Sequence, residues 1–319
     1  MTYLSVKKVK GKEYTYLMKS IRLPNGKVIS LQKLVDAKNK SIDELAKENK
    51  SFFIEKQKMA NASYAVNMYK NDEIFSEDQI KKIEGIKVDY GELLKNFSKE
   101  QLRDVFDRFT ANFTYESNAI EGSSLTLKDV AIIMFEGKSL EGKDLREIYE
   151  TKNSREVLER ILKKKFKISE KDIIKMHKML MKNIDTRVGY KQFPNEIIGS
   201  QIELTLPEKV HDEMNALIEI YEKTENIHPL QLSALFHGNF EKIHPFSDGN
   251  GRVGRFIALA MLVNENYPPL IIRKTQRDSY IKSLEDFHRG YTKNLERFFL
   301  EKYKKTFENF FAGYLRYIK

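Results

Sequence analysis

The sequence contains no cysteine, which removes disulfides, thiolate zinc sites and cysteine nucleophiles together. It also lacks a long apolar run. The longest, Phe256 to Val263, falls far short of the ~18 to 20 residues of a membrane span, and the opening Met-Thr-Tyr-Leu-Ser-Val-Lys-Lys has no apolar signal core. A soluble, cytoplasmic protein without a membrane partner is expected. No His-Glu-x-x-His pattern occurs, and His228 and His237 are nine apart, which argues against a zinc site. Gly137-Lys138-Ser139 ends like a phosphate loop, but the glycine required five residues earlier is Ile132 and no strand precedes it, so that reading fails.

At 319 residues the chain is long enough for one large or two modest domains. Its 56 Lys and Arg outnumber 46 Asp and Glu, a net charge of +10 that suits ATP, acidic partners or simple solubility. Residues 1 to 35 form a basic β arm. Tyr3, Val6, Val9, Tyr14, Tyr16, Leu17, Ile21, Val28 and Ile29 favour strands, broken at Lys10-Gly11-Lys12 and Pro24-Asn25-Gly26. A hairpin or three-stranded antiparallel sheet is expected there. Its lysines read either as an arm for nucleic acid or an acidic partner, or as the ordinary protection of an edge strand.

From Ser41 onward the pattern is helical, and a mainly α protein is expected, with a helical region at 36 to 97, a core at 98 to 291 and a C-terminal helix at 292 to 319. Ser41-x-x-Glu44, Ser76-x-x-Gln79 and Ser98-x-x-Gln101 match the capping box, each ahead of a periodic segment. Leu102, Val105, Phe106, Phe109 and Phe113 make one apolar stripe, and that helix closes at Ser117-Asn118-Ala119-Ile120-Glu121-Gly122, with Gly122 placed for a C-cap. Ser117 and Glu121 share a face. A carboxylate at the last turn opposes the helix dipole, so a cation elsewhere is expected to satisfy Glu121. Helices follow at 143 to 165 and 170 to 183, the second carrying a structural His177. The aromatic positions of 292 to 319 recur at helical spacing, which suits core packing or a homo-oligomer contact.

The densest chemistry is His244-Pro-Phe-Ser-Asp-Gly-Asn-Gly-Arg-Val-Gly-Arg255. Val253, Phe256, Ile257, Ala260 and Met261 recur at helical spacing, so a helix begins near Gly251 and the loop Gly249-Asn250-Gly251 opens its N-terminus. Unpaired N–H groups and the dipole make that a seat for an anion. Arg252 and Arg255, three apart on one face, suit a polyphosphate. Asp248 offers the hard oxygen that a phosphate-bound magnesium ion takes, and His244 suits proton abstraction from a hydroxyl near neutral pH. Phe246 anchors the loop in the core.

The stretch resembles the signature of the Fic family, His-x-Phe-x-(Asp/Glu)-Gly-Asn-Gly-Arg-x-x-Arg, at every fixed position. The resemblance covers roughly residues 100 to 290 and implies a Fic-type helical bundle with a β-hairpin flap. It further implies transfer of AMP from ATP, with Mg2+, onto a Ser, Thr or Tyr hydroxyl of another protein or of the chain itself. In such an enzyme Asp248 carries the metal, the phosphates lie over Gly249, Asn250 and Gly251, Arg252 and Arg255 neutralise pyrophosphate, and His244 is the base. Many relatives carry an inhibitory helix, (Ser/Thr)-x-x-x-Glu-(Gly/Asn), met here by Ser117, Glu121 and Gly122, whose glutamate pairs with the second arginine, here Arg255. Family likeness also places an aromatic against adenine, here Tyr280, and makes residues 187 to 207, including Ile197, Ile198 and Gly199, the flap that docks a target by main-chain pairing. Ile202, Leu204 and Leu206 alternate there as a strand would, while Lys191 and Gln192 stand where relatives often have arginine. Removal of AMP at the same site, with Glu121 activating water, is one rival; a basic nucleic-acid-binding protein that only senses nucleotide is another.

Overall fold

In the computed structural model, residues 2–24, 26–138, 140–196 and 202–317 are described. The chain forms two compact units, 1–92 and 93–319. The first opens with β1 (Thr2–Val9), β2 (Lys12–Arg22) and β3 (Val28–Leu34), an antiparallel sheet in that order. Lys10 and Gly11 join β1 to β2 with φ of 51° and 76°. Two left-handed residues in a two-residue loop make the turn whose twist matches that of the strands. On one face Leu17, with Leu4 and Leu31 beside it, packs on Leu45 and Phe53 of the helices α1 (Ile42–Glu48) and α2 (Lys50–Met68). The Ser41 and Glu44 capping box starts α1 as expected.

The division between the units falls inside α3 (Glu77–Asn96). The second unit continues with α4 (Lys99–Ile120), α5 (Leu127–Ala131), α6 (Leu145–Leu162), α7 (Glu170–Leu180) and α8 (Pro207–Lys223). It closes with α9 (Pro229–Ile243), α10 (Asn250–Asn264), α11 (Arg277–His288) and α12 (Thr292–Thr306). At its centre is α10, buried at every residue from Arg252 to Val263 and packed by α9, α6, α7 and α4. A helix apolar on every side has nowhere else to lie. The stripe on α4 meets it through Phe113, edge-on to Phe256 at 5.0 Å. The C-terminal segment is core: α12 packs on α9 and α11, and Phe311 stacks on Phe109 of α4 at 5.8 Å.

The expected β-hairpin over 187 to 207 is not formed among the described residues. Residues 187–196 and 202–206 hold no strand, and Ile197, Ile198 and Gly199 lie outside the described residues. Pro194 and Pro207 each remove a ladder donor, and the backbone of 190 and 191 pairs instead with the loop after α9, where Tyr190 bridges Phe246.

Candidate active site

The site is built where α9 ends and α10 begins. The last residue before the loop, His244, has φ 49° and ψ 60°, a left-handed conformation costing a non-glycine residue on the order of 1 kcal/mol. Its neighbours hold it there. Lys191 N donates to the Pro245 carbonyl at 2.9 Å, Asn195 Nδ2 to the Phe246 carbonyl at 2.9 Å, and Asn250 both donates to and accepts from Phe246 at 2.7 and 2.8 Å. The Lys191 amine, 2% exposed, donates to Asn195 Oδ1 at 2.7 Å, and burial lowers its pKa to about 8.

Phe246 anchors the loop, as expected, by stacking on His177 with ring centroids 3.8 Å apart. His177 does more than fill the core. Its Nε2 donates to the Asp248 carbonyl at 3.1 Å and its Nδ1 accepts from Gly189 N at 3.4 Å, so one tautomer is fixed. Burial depresses its pKa to about 4, which keeps the ring neutral. Gly249, at φ 81°, then turns the chain into α10, a conformation that glycine adopts without strain.

The catalytic candidate is oriented by its own helix. His244 Nδ1 lies 3.3 Å from the Glu241 carbonyl. A carbonyl only accepts, so Nδ1 carries the proton and Nε2 keeps its lone pair. Burial lowers the His244 pKa to about 4, so the ring is a neutral base at pH 7. Its imidazole resonances, assigned against His244→Ala, should stay at neutral-form shifts as the pH is lowered from about 7.5 to 5.5; titration near the ordinary value of roughly 6.5 would overturn this assignment of the base.

Arg255, 4% exposed, reaches α4. Its Nε donates to Ser117 Oγ at 3.0 Å, and its Nη2 to the Ser117 carbonyl at 3.0 Å and to Glu121 Oε1 at 2.6 Å. Burial opposes its charge, but Glu121 and, with smaller contributions, Tyr280 and Glu241 together outweigh burial and raise its pKa. Gly122 at φ 100° closes α4 in a Schellman turn, with Ser123 N on the Asn118 carbonyl at 3.1 Å and Gly122 N on the Ala119 carbonyl at 3.2 Å. Arg277 Nε caps the same end at the Ile120 carbonyl, 3.0 Å away.

The two arginines of the motif do not converge as expected. Arg252, 3% exposed, turns to Glu150 of α6 at 3.0 Å and to Asp248 Oδ1 at 3.8 Å. A buried guanidinium requires a carboxylate, and each arginine has its own. Asp248 also pairs with Arg146 of α6 and accepts from Gly249 N at 2.6 Å. Burial works against its ionised form, and Arg146 and Arg252 overcome that and lower its pKa. A single carboxylate, 33% exposed beside a helix N-terminus, fits magnesium carried mainly by a nucleotide's phosphates.

Behind the base sits Glu241, whose Oε1 has no hydrogen-bond partner. Burial pushes its pKa up to about 8, so its approaches of 3.9 Å to His237 and 4.0 Å to His244 join neutral groups and are not ion pairs. Tyr280, expected against adenine, is largely buried in the cavity wall. Its ring is 1% exposed and stacked on His237 with its hydroxyl 2.7 Å from Nε2, and it is one of the residues lining the cavity beside His244 and Arg255. Gly254 completes this cluster, because a Cβ there would come within 2.5 Å of Glu241 Oε1 and 2.9 Å of the His237 ring. Gly254→Ala is expected to cost about 1 to 3 kcal/mol of stability, read as a lower denaturant midpoint.

These groups line a cavity of about 170 Å³ that includes Glu121, Glu241, His244, Gly251, Arg255 and Ile202. Residues 167–262 match the Fic/DOC family. The chain carries a Fic domain. That match takes in the motif and ends well after it, but it does not reach α4 and Glu121. The Protein adenylyltransferase Fic of Nematostella vectensis is 29% identical over 205 residues, 62% of this chain and 48% of that one. Its namesake in Drosophila erecta is 30% identical over 204 residues, 61% and 40% respectively. The matched region is therefore less than half the length of these relatives. A Fic domain-containing signalling protein from Bacteroides thetaiotaomicron has the same fold, with a TM-score of 0.60 at 23% identity, covering 73% of this chain and 95% of that one. Fic-1 from C. elegans superposes at a TM-score of 0.62 and 22% identity over 73% and 71% of the two chains.

Sequence reasoning missed Arg146, Glu150, Glu241 and Asn195, and marked Lys191 only as a departure in the flap. Glu241 alone left a trace, as the one acid on a helix with Leu232, Leu235, Phe236 and Phe240.

Proposed function

We propose that this protein is an adenylyltransferase that moves AMP from ATP onto a hydroxyl of a protein. The observation that carries the reading is His244, a neutral imidazole whose unprotonated Nε2 belongs to a residue lining the cavity beside the α10 N-terminus. Relatives named Protein adenylyltransferase Fic support it. ATP would lie with its phosphates over Gly249 to Gly251. Nε2 takes the proton of the target hydroxyl as its oxygen bonds to the α-phosphorus; the bond from that phosphorus to the bridging oxygen breaks, and pyrophosphate leaves with the electron pair. Positioning and charge stabilisation supply most of the acceleration. Magnesium held by Asp248 would neutralise phosphate charge, with Arg146 and Arg252 fixing the carboxylate that receives it.

We further propose that the resting enzyme is restrained by Glu121. One guanidinium cannot serve a carboxylate and a phosphate in full at once, and Glu121 holds Arg255 at 2.6 Å. The remaining cavity, about 170 Å³, is well below the roughly 300 Å³ at which small-molecule sites begin. The test is intact-mass analysis after incubation with ATP and magnesium, with the chain itself and added lysate as acceptors. AMP adducts on the acceptor support the reading, and their absence from both the wild type and Glu121→Gly would overturn it.

A further inference from the structure

The net charge of the protein is concentrated at one end of the chain. Residues 1 to 40 hold ten Lys or Arg against Glu13 and Asp36, a balance of +8. The whole chain carries +10, so the other 279 residues contribute +2. Six of these cations, Lys7, Lys8, Lys12, Lys19, Arg22 and Lys33, stand on the strands of the sheet, which has two unlike faces. Residues directly opposite each other in an antiparallel pair lie on the same side, so Leu4 opposite Leu17 marks the face turned to Leu45 and Phe53. The pairs Tyr3–Met18, Ser5–Tyr16, Lys7–Tyr14 and Val9–Lys12 mark the other.

That outer face buries Met18, 9% exposed, and around it is aromatic and basic. Tyr3 is 38% exposed, Tyr14 and Tyr16 are partly exposed, and Lys7 and Lys12 are exposed. The Lys7 amine is fixed among them, 5.0 Å from the centroid of the Tyr16 ring and 2.6 Å from Gln32 Oε1. Edge protection accounts for lysines beside an open edge, such as Lys7 on β1 and Lys12, which has β1 alone beside it, but not for the rings: Tyr16 stands on β2 where it pairs with both β1 and β3, and Tyr14 lies next to it on the same face. The sheet's solvent face therefore combines cations with flat rings two residues apart, the combination that tracks a phosphate backbone while stacking unpaired bases.

We propose that the outer face of the β1–β2–β3 sheet binds single-stranded nucleic acid, with Tyr3, Tyr14 and Tyr16 as stacking surfaces and Lys7 and Lys12 as phosphate contacts. The occupant is single-stranded because paired bases offer no open ring faces to a tyrosine. It is a polyanion because Lys or Arg outnumber Asp and Glu ten to two over residues 1 to 40, the segment that forms the sheet. None of these residues belongs to the Fic site, so the inference is independent of the reaction proposed there.

The test is fluorescence anisotropy of the full chain with a labelled oligothymidylate of about 20 nucleotides, beside the matching duplex and polyglutamate. Wild type should bind the single strand most tightly, and log affinity should fall with log salt by roughly 0.7 per phosphate contact. The paired substitution Tyr3→Ala with Tyr14→Ala should weaken binding roughly tenfold or more, with Tyr3→Phe and Tyr14→Phe restoring it. Lys7→Gln with Lys12→Gln should flatten the salt dependence by about one to two contacts. An unchanged thermal midpoint confirms that each variant is folded. The proposal is overturned if wild type does not bind the strand, if duplex or polyglutamate binds as tightly, or if the alanine pair binds like wild type.

Discussion

Glu121→Gly is expected to raise AMP transfer from ATP by roughly 5- to 150-fold, the range of a coupling worth about 1 to 3 kcal/mol. The expectation rests on a competition for one group. Arg255 has three contacts with α4, two to Ser117 and one to Glu121 at 2.6 Å. Removing the carboxylate leaves the Ser117 bonds in place, so the guanidinium stays positioned while its strongest anionic partner is gone. Glycine also suits the site locally, because Glu121 is the C-cap of α4 and is followed by a left-handed Gly122. The last turn should therefore survive the change. The rate is read by following AMP incorporation by mass on a fixed acceptor. A Glu121→Gly enzyme no faster than wild type, but still active, would remove the restraint and leave the transferase reading standing. Loss of Arg255 should behave in the opposite way, since it removes the seat along with the competitor.

In the Glu121→Gly background, His244→Ala is expected to lower transfer by roughly 10²- to 10⁴-fold, the usual contribution of a positioned base. Nucleotide affinity, measured by calorimetry, should change little, because the phosphate seat proposed above is made by the backbone of Gly249 to Gly251 and Arg255, without His244. The left-handed backbone at 244 calls for a second variant. His244→Asn keeps a residue type that tolerates that conformation and lacks the base, so a matching loss in both separates chemistry from misfolding. Full activity in either would exclude His244 from proton transfer.

The parts legible in the sequence are those whose causes are local. The capping boxes at Ser41 and Ser98 each fix a helix start through residues three apart, and both are present. The Gly249-Asn250-Gly251 turn into α10 likewise needs only its own backbone, and the apolar run beyond it announces a buried helix. The Glu121 to Arg255 contact spans 134 residues. It was expected because an acid at a helix C-terminus asks for a cation, and the family resemblance supplied which one. Arg146 and Glu150 carried no such signal. On α6 they look like an ordinary pair four apart, and nothing local shows that they reach 102 residues ahead to Asp248 and on to Arg252. Glu241 and the clamp of Lys191 and Asn195 were hidden for the same reason, since their burial is made by helices distant in sequence. Tyr280 lines the cavity from α11, but its hydroxyl contact with His237 at 2.7 Å was hidden, since it too joins residues distant in sequence.

The left-handed backbone of His244 places chemistry and folding in opposition at one residue. Glycine or asparagine would occupy φ 49° with less strain, and neither could take a proton. Drift toward either is therefore favoured by the fold and opposed only by the reaction, so in a lineage that no longer needs the reaction this histidine should be among the first residues to disappear, while Phe246 and Asn250, which hold the loop together, persist.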